Sequence, residues 1–230
     1  ITAKVLQIVN SPFFGLLQEV QSPARAVGLL GLDMIRAMVL SAGTFSKFKK
    51  ASAKGFSMEA LWQHGMQTAG LAKCIAQAHQ CKPQLEDAAF IAGLMHDIGK
   101  LVLAANKPEA YEGVLVRLKE TDEAFHVAET AVYHADHAGL GGYLLGLWGI
   151  PDDVLQAVAY HHYPQRSRDK GLTPLALVHV ANAFSNQGTA LADTDPEAMG
   201  LDRAYLTAAG VWEALPGWRH VCAEMVALDQ

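Results

Sequence analysis

A chain of 230 residues, 51% hydrophobic and carrying 18 Lys+Arg against 23 Asp+Glu for a formal net charge of −5, can bury a sizeable core in one large domain or two modest ones, and is not a disordered polymer. No basic run exceeds Lys49-Lys50, so there is no electrostatic footprint for nucleic acid or for an anionic membrane surface, and no stretch reads as the roughly 20 uninterrupted apolar residues of a membrane span. The three cysteines, Cys74, Cys81 and Cys222, lack zinc-type spacing and read as thiols in a reducing compartment; with no cleavable leader pattern, a cytoplasmic location is the expectation.

Taken in order, almost every segment has helical periodicity, and no run of alternating apolar and polar residues demands a sheet. The predicted class is all-α. Residues 2–9 form a helix that Asn10-Ser11-Pro12 ends, and the chain begins partway through its apolar face (Ile1, Val5, Leu6, Ile8, Val9), which predicts further residues before Ile1. Ser22-Pro23 starts a second helix, with serine as N-cap and proline in the first turn, and it stops at Gly31. A third follows with Asp33 near its positive end and an apolar face of Ile35, Met38, Val39, Leu40, Phe45 and Phe48. Residues 49–55, Lys49 to Gly55, are a loop by composition. They predict a boundary between an N-terminal helical lobe, 1–50, and a helical core, 51–230, which together make one domain.

Ser57 opens a long helix to about Gln80 with Leu61, Trp62, Leu71 and Ile75 on its buried stripe and His64 beside it. Lys82-Pro83 breaks it, and the next helix is predicted from about Gln84 towards Leu103 with an interruption at Gly99. After Asn106-Lys-Pro108 come a more polar helix (Tyr111, Val114, Leu115, Leu118), another from about Asp122, an apolar one from His137 to Leu147, and one from Pro151 that ends at His161-His162. Residues 165–171, with Arg166, Arg168 and Lys170, read as a solvated loop, and Thr173-Pro174 starts a helix through Phe184. Residues 186–200 are small, polar and turn-rich, the segment expected to be most mobile, and two helices of roughly 203–214 and 217–228 close the chain.

Chemistry concentrates in Ile91-Ala-Gly-Leu-Met-His-Asp-Ile-Gly-Lys100, where a histidine and an aspartate stand among aliphatic residues. A buried carboxylate needs a cation, hydrogen-bond donors or a metal beside it. His64, His96, His137, His161 and His162 fall on four separate predicted helices, and with Asp97 they are the ligand types that a helical bundle can converge on a divalent ion. Taken singly, a helix histidine is more often a satisfied core or half-exposed residue than a ligand. His134, three residues before His137, is a second-tier ligand candidate on the same predicted face. Gly139 to Gly146 lacks the spacing of a dinucleotide fingerprint, and there is no GxSxG nucleophile elbow.

His96-Asp97-Ile98-Gly99-Lys100, preceded by the Leu61-Trp62-Gln63-His64 helix and followed by the His161-His162 pair, resembles the HD superfamily of metal-dependent phosphohydrolases. The resemblance is closer to its HDOD (HD-related output domain) branch of bacterial signalling proteins, carried by Val5-Leu-Gln-Ile-Val-Asn-Ser-Pro-Phe-Phe-Gly15, by Ala26-Val-Gly-Leu-Leu-Gly31 and by Asp136 to Pro151. It implies a multi-helix HD-type bundle with a smaller N-terminal helical lobe. It also implies a metal centre of His64, His96, Asp97, His137, His161 and His162 holding a divalent ion (Fe, Mn, Mg or Zn), with Lys100 at the phosphate and Asp97 and Lys100 as the catalytic pair of an active enzyme. The chain departs from the catalytic HD-GYP pattern at three places. Asn182 stands where a terminal aspartate is expected, Ala60 where a glutamate is often found, and His162-Tyr-Pro-Gln-Arg where a Glu and a GYP segment would follow.

Two functional expectations result. The first is a bacterial regulatory domain, catalytically degenerate, that acts by binding signalling proteins: a response regulator, a kinase or a cyclic-di-nucleotide enzyme. The second is an active metal-dependent phosphohydrolase or phosphodiesterase, with cyclic dinucleotides as one substrate class.

Overall fold

The structure, a computed structural model, describes residues 1–14, 16, 18–47 and 53–228. Among these the chain is helical, with no strand: α1 (Thr2–Val9), α2 (Pro23–Leu30), α3 (Leu32–Lys47), α4 (Met58–Ala78), α5 (Pro83–Met95), α6 (Ile98–Asn106), α7 (Pro108–Glu120), α8 (Phe125–Tyr133), α9 (His137–Leu147), α10 (Asp152–Tyr160), α11 (Pro174–Ser185), α12 (Arg203–Ala208) and α13 (Leu215–Leu228), joined by short 3-10 turns. Local chemistry accounts for several starts. Ser22 and Ser57 accept hydrogen bonds from the backbone N–H groups of Arg25 and Ala60, satisfying donors that a helix start leaves unpaired. Pro23, Pro83, Pro108 and Pro174 each occupy a first turn, where the missing N–H costs nothing.

Three boundaries differ from the sequence expectation. The helix anticipated at Asp122 begins at Phe125, after an extended Ala124. The one anticipated over 203–214 stops at Ala208, because Gly210 adopts a left-handed φ of 75°. The third, the break between α5 and α6, lies at His96-Asp97 rather than at Gly99. Phe48 and residues 49–52 of the anticipated boundary loop lie outside the described residues.

One continuous apolar cluster runs from Val5 in α1 to Val226 in α13, so the N-terminal helices share their core with the rest. Its centre is the α4–α5–α11 stack, with Phe90, Leu71, Ile75, Met95, Val178 and Phe184 almost completely buried. Pro83–Asn106 is apolar and long enough to cross a bilayer by length and composition, but it is broken at His96-Asp97 and mostly buried in this core. Gly99 matters for a different reason from the one its position in the helix suggests. A Cβ there would collide with the backbone carbonyl of His137, so only glycine lets α6 and α9 touch.

A second, smaller cluster stands apart: Ala53, Leu103, Ala104 and Tyr111, with Phe56, Leu115, Phe125, Tyr133 and Leu140 against them. It seats the α7–α8 hairpin on α6. Tyr133 Oη donates to Lys107 O, and the Lys54 N–H donates to Glu112, which ties the chain before α4 to the hairpin.

Candidate metal centre

α5 ends at Met95, His96 keeps helical dihedrals, and Asp97 (φ −99°, ψ 8°) steps out of the helix before Ile98 restarts it. Asp97 occupies the N-cap position of α6 without capping it. Its carboxylate turns inward instead and is 4% exposed. Because the break falls here, two adjacent side chains aim at one buried point that an unbroken helix would have splayed apart by about 100°.

Around that point the histidines converge. The structure brings together His64 from α4, His96, Asp97, Lys100 from α6, His137 at the first turn of α9, His161 and His162 just past α10, and Asn182 from α11. His134 is not among them. It lies exposed at the end of α8 with a left-handed φ of 57°, on a different element from His137.

The tautomers follow from the partners. His96 Nδ1 lies 2.7 Å from Gly93 O, His161 Nδ1 2.8 Å from Val158 O and His137 Nδ1 2.5 Å from Glu129 Oε2. A carbonyl or carboxylate oxygen only accepts, so each Nδ1 carries the proton and donates it. At His64, Nδ1 lies 3.2 Å from Ser185 Oγ, which donates to Gln67 Oε1, and Nε2 lies 3.1 Å from Asn182 Oδ1. His96 and His161, the two fully buried neutral rings, therefore present Nε2 lone pairs inward.

Asp97 lies between two groups of these nitrogens. Oδ2 faces His96 Nε2 at 3.4 Å and His64 Nε2 at 3.6 Å, and accepts from Lys100 Nζ at 2.7 Å. Oδ1 faces His137 Nε2 at 3.0 Å and His161 Nε2 at 3.9 Å, with His162 Nε2 2.9 Å from His137 Nε2. Asp97 Oδ1 and His161 Nε2 are buried without a hydrogen-bond partner. Orphaned acceptors of this kind are costly in a dry core, and a cation satisfies both at once.

Electrostatics agree with an electron-rich pocket. Burial pushes His64 down, His96 down to about 4 and His161 well below the ordinary imidazole range, so these rings stay neutral. Burial alone would raise the Asp97 carboxyl, but its electrostatic interactions with His96, Lys100 and His137 outweigh it and hold the group well below its usual value. At His137 burial and the Lys100 charge oppose protonation, and the flanking Asp97 and Glu129 carboxylates win, raising it.

Sequence reading had not singled out Glu129, which is completely buried and accepts from both the backbone N–H and Nδ1–H of His137. It had also passed over Ser185 and Gln67 behind His64, and His179, whose Nδ1 donates to His161 O while Nε2 accepts from the Asp202 N–H. His126 stacks on His162 at 4.0 Å between ring centres and bonds to Tyr163 Oη. For Glu129 the signal was an acid in the apolar α8 face just before His137.

Two cavities open onto the cluster. One, of about 390 Å³, is of mixed character, lined by Lys100, His126, His162, Asn182 and Asn186 together with Phe125 and Met199. The other, of about 330 Å³, is lined by Phe56, Leu61, Tyr111, Leu115 and Phe125, with His64, Asp97 and Lys100 at its floor. A groove of about 460 Å³ between Ile8, Trp62 and Met225 holds no such cluster. The ligand set fits a divalent ion: lone pairs converge, the imidazole protons are anchored behind them, and two orphaned acceptors need a cation. When bound, such an ion supplies Lewis acidity and an activated water.

The family model described as the HDOD domain matches residues 1–164. The chain belongs to the HDOD family. This HDOD chain is similar in fold to an HDOD domain protein of unknown function from Geobacter sulfurreducens, at 22% identity and TM-score 0.64 over 97% of this chain and 81% of that one. It is also similar to a candidate phosphohydrolase from Shewanella amazonensis SB2B, at 18% identity and TM-score 0.72 over 97% and 78%. The MmoQ response regulator from Methylococcus capsulatus is 26% identical, with TM-score 0.54 over 94% and 83%. A curated relative from Treponema pallidum, named only as an uncharacterized protein, is 25% identical over 182 residues, 77% of this chain. The HDOD chain spans 34% of that relative's length.

Proposed function

We propose that this HDOD domain is a signalling module that binds partner proteins and carries one divalent transition-metal ion in its core, and that it is not a binuclear phosphodiesterase. The observation that carries the reading is the charge of the centre. Asp97 and Glu129 bring two negative charges and Lys100 one positive, and the position beside His64 that could add a third acid is Asn182, with Oδ1 3.1 Å from His64 Nε2. One dication nearly balances that set, whereas two leave a large uncompensated charge in a buried site. A donor set of imidazoles with one carboxylate suits zinc or iron better than magnesium, which prefers oxygen.

Protein binding is supported by exposed apolar side chains. Leu29 and Leu32 at the α2–α3 corner and Tyr143 and Leu147 on α9 are 50–70% exposed, and Arg36 donates to Trp148 O, which brings α3 against the end of α9. Signalling partners of the response-regulator, kinase or cyclic-di-nucleotide class belong to this proposal.

Metal analysis of protein purified without added metal, run beside turnover assays on a generic phosphodiester and on cyclic dinucleotides, tests it. One ion per chain without turnover is expected. Steady turnover that needs two ions overturns it in favour of the phosphodiesterase. That second reading has its own support in Lys100, 19% exposed at the junction of the two cavities, where a phosphoryl oxygen would meet it.

A further inference from the structure

The two sides of Asp97 are chemically unequal, and this inference rests on the single-ion reading above. We infer that the ion belongs to the side formed by His137, His161, His162 and Asp97 Oδ1, and that the Lys100 ammonium takes the place of an ion on the side formed by His64, His96 and Asp97 Oδ2.

On the Oδ2 side a cation is already in contact. Lys100 Nζ donates to Oδ2 at 2.7 Å, nearer than either imidazole nitrogen, and is held there by the three-residue helical spacing and by the Phe125 ring at 4.8 Å. A dication bound there would share Oδ2 with the ammonium at a separation of about 4 Å or less, where like charges repel strongly. No second acid offsets this. The remaining oxygen is the neutral amide of Asn182, which also accepts from Asn186 Nδ2.

Among the described residues no lysine or arginine contacts Oδ1, and the neighbours on that side are imidazoles, with His137 Nε2 at 3.0 Å. Asp97 Oδ1 and His161 Nε2 are both buried without a hydrogen-bond partner; the ligand atoms of His137, His161 and His162 lie within 4.8 Å of one another, as do those of His64, His96 and Asp97, so the unpartnered acceptors and the position of Lys100 distinguish the two sides. Three imidazole nitrogens and one carboxylate oxygen make the four-ligand set that zinc-like ions take. Glu129 stands behind His137, and such a carboxylate raises the ring's basicity and fixes its orientation. His161 is anchored twice, through its own Nδ1–H and through the His179 bond to its carbonyl. On the opposite side, His64 is oriented through the Ser185 hydroxyl and the Asn182 amide oxygen.

The test uses the full chain, stripped with a chelator and reloaded with cobalt(II), read by elemental analysis and by visible absorption. The expected wild-type result is about one cobalt per chain, with the intense absorption of a four-coordinate site. His162→Ala should weaken cobalt binding about tenfold or more, and His64→Ala should keep one ion per chain with an unchanged spectrum. Lys100→Met should admit a second ion. Loss of the ion in His64→Ala with retention in His162→Ala overturns the assignment, and so does a Lys100→Met stoichiometry that stays at one. A wild-type chain that takes up no cobalt at all overturns the single-ion reading itself. Melting curves by circular dichroism accompany each variant, and His162→Gln, with a side chain of similar volume, replaces any alanine variant that does not fold.

Discussion

The helices that hold the histidines and the hairpin that covers them are built differently. α4, α5, α10 and α11 pack through the main core, where Phe90, Leu71, Ile75, Ala157, Val178 and Phe184 have no measurable exposure. The α7–α8 hairpin rests on a separate cluster of four buried residues, and Leu118, Val116 and Val127 on its outer faces remain in contact with water. Both regions touch the centre, the first through His64, His96, His161 and Asn182 and the second through Phe125, His126 and Glu129. The difference teaches a division of labour: rigid packing sets the ligand positions, and a lightly seated element controls access and supplies the charge behind His137.

The largest expected effect comes from the place where the two regions join through α6 and α9. Gly99→Ala forces a side chain into the His137 carbonyl, and a loss of about 3 kcal/mol or more is expected in urea unfolding, from overpacking against backbone that cannot move. A variant that melts within a degree of wild type would show that α6 and α9 can separate freely. Within the core, Phe90→Ala is expected to cost about 3–5 kcal/mol by cavity formation.

Acid should act on the core side too. His96, held near 4 against an ordinary 6.5, is buried neutral, so below pH 6.5 the unfolded chain takes up a proton that the native one refuses. The stability it contributes is fully present above pH 6.5 and is lost as pH falls towards 4, roughly 2 kcal/mol between pH 6.5 and 5 for this group. His64 and His161 act in the same direction and His137, raised by its carboxylates, opposes them. Metal-free protein should therefore melt at lower temperature at pH 5 than at pH 7, and a flat profile would refute the neutral assignment.

On the hairpin side, Glu129→Gln should lower metal affinity about tenfold while leaving the fold intact, measured by competition with a chelating dye. Leu115→Ala, from the small cluster, should cost about 1 kcal/mol, and amide exchange should be faster in α7 than in α5. Equal protection in α7 and α5 would remove the distinction between the two regions.

Legibility followed the range of the interactions involved. Ser22 and Ser57 announce their helices through cap bonds within a few residues, Pro174 announces its own by sitting in the first turn, and His96-Asp97 among aliphatics announces a buried polar cluster. His64, His137, His161 and His162 could be nominated by residue type and by family resemblance, but not positioned. The break at His96-Asp97 was misplaced onto Gly99 because glycine is a breaker by local rules, while here its role is close approach to a helix 38 residues further on. Glu129 was missed because its partner lies on the next helix and an acid on a helix ordinarily faces water. His134 was nominated by spacing along one presumed helix, and the left-handed turn at that residue removes it.

The attachment of Glu129 to α8 has a thermodynamic consequence. With an ion bound at His137, the tightness of that ion and the docking of the hairpin form a single linked equilibrium. Whatever grips the outer face of α7–α8 and draws it from α6 must weaken the ion by some factor, and the ion must resist that grip by the same factor. Metal occupancy and partner binding would then report on each other across the hairpin, without the partner ever reaching the cluster.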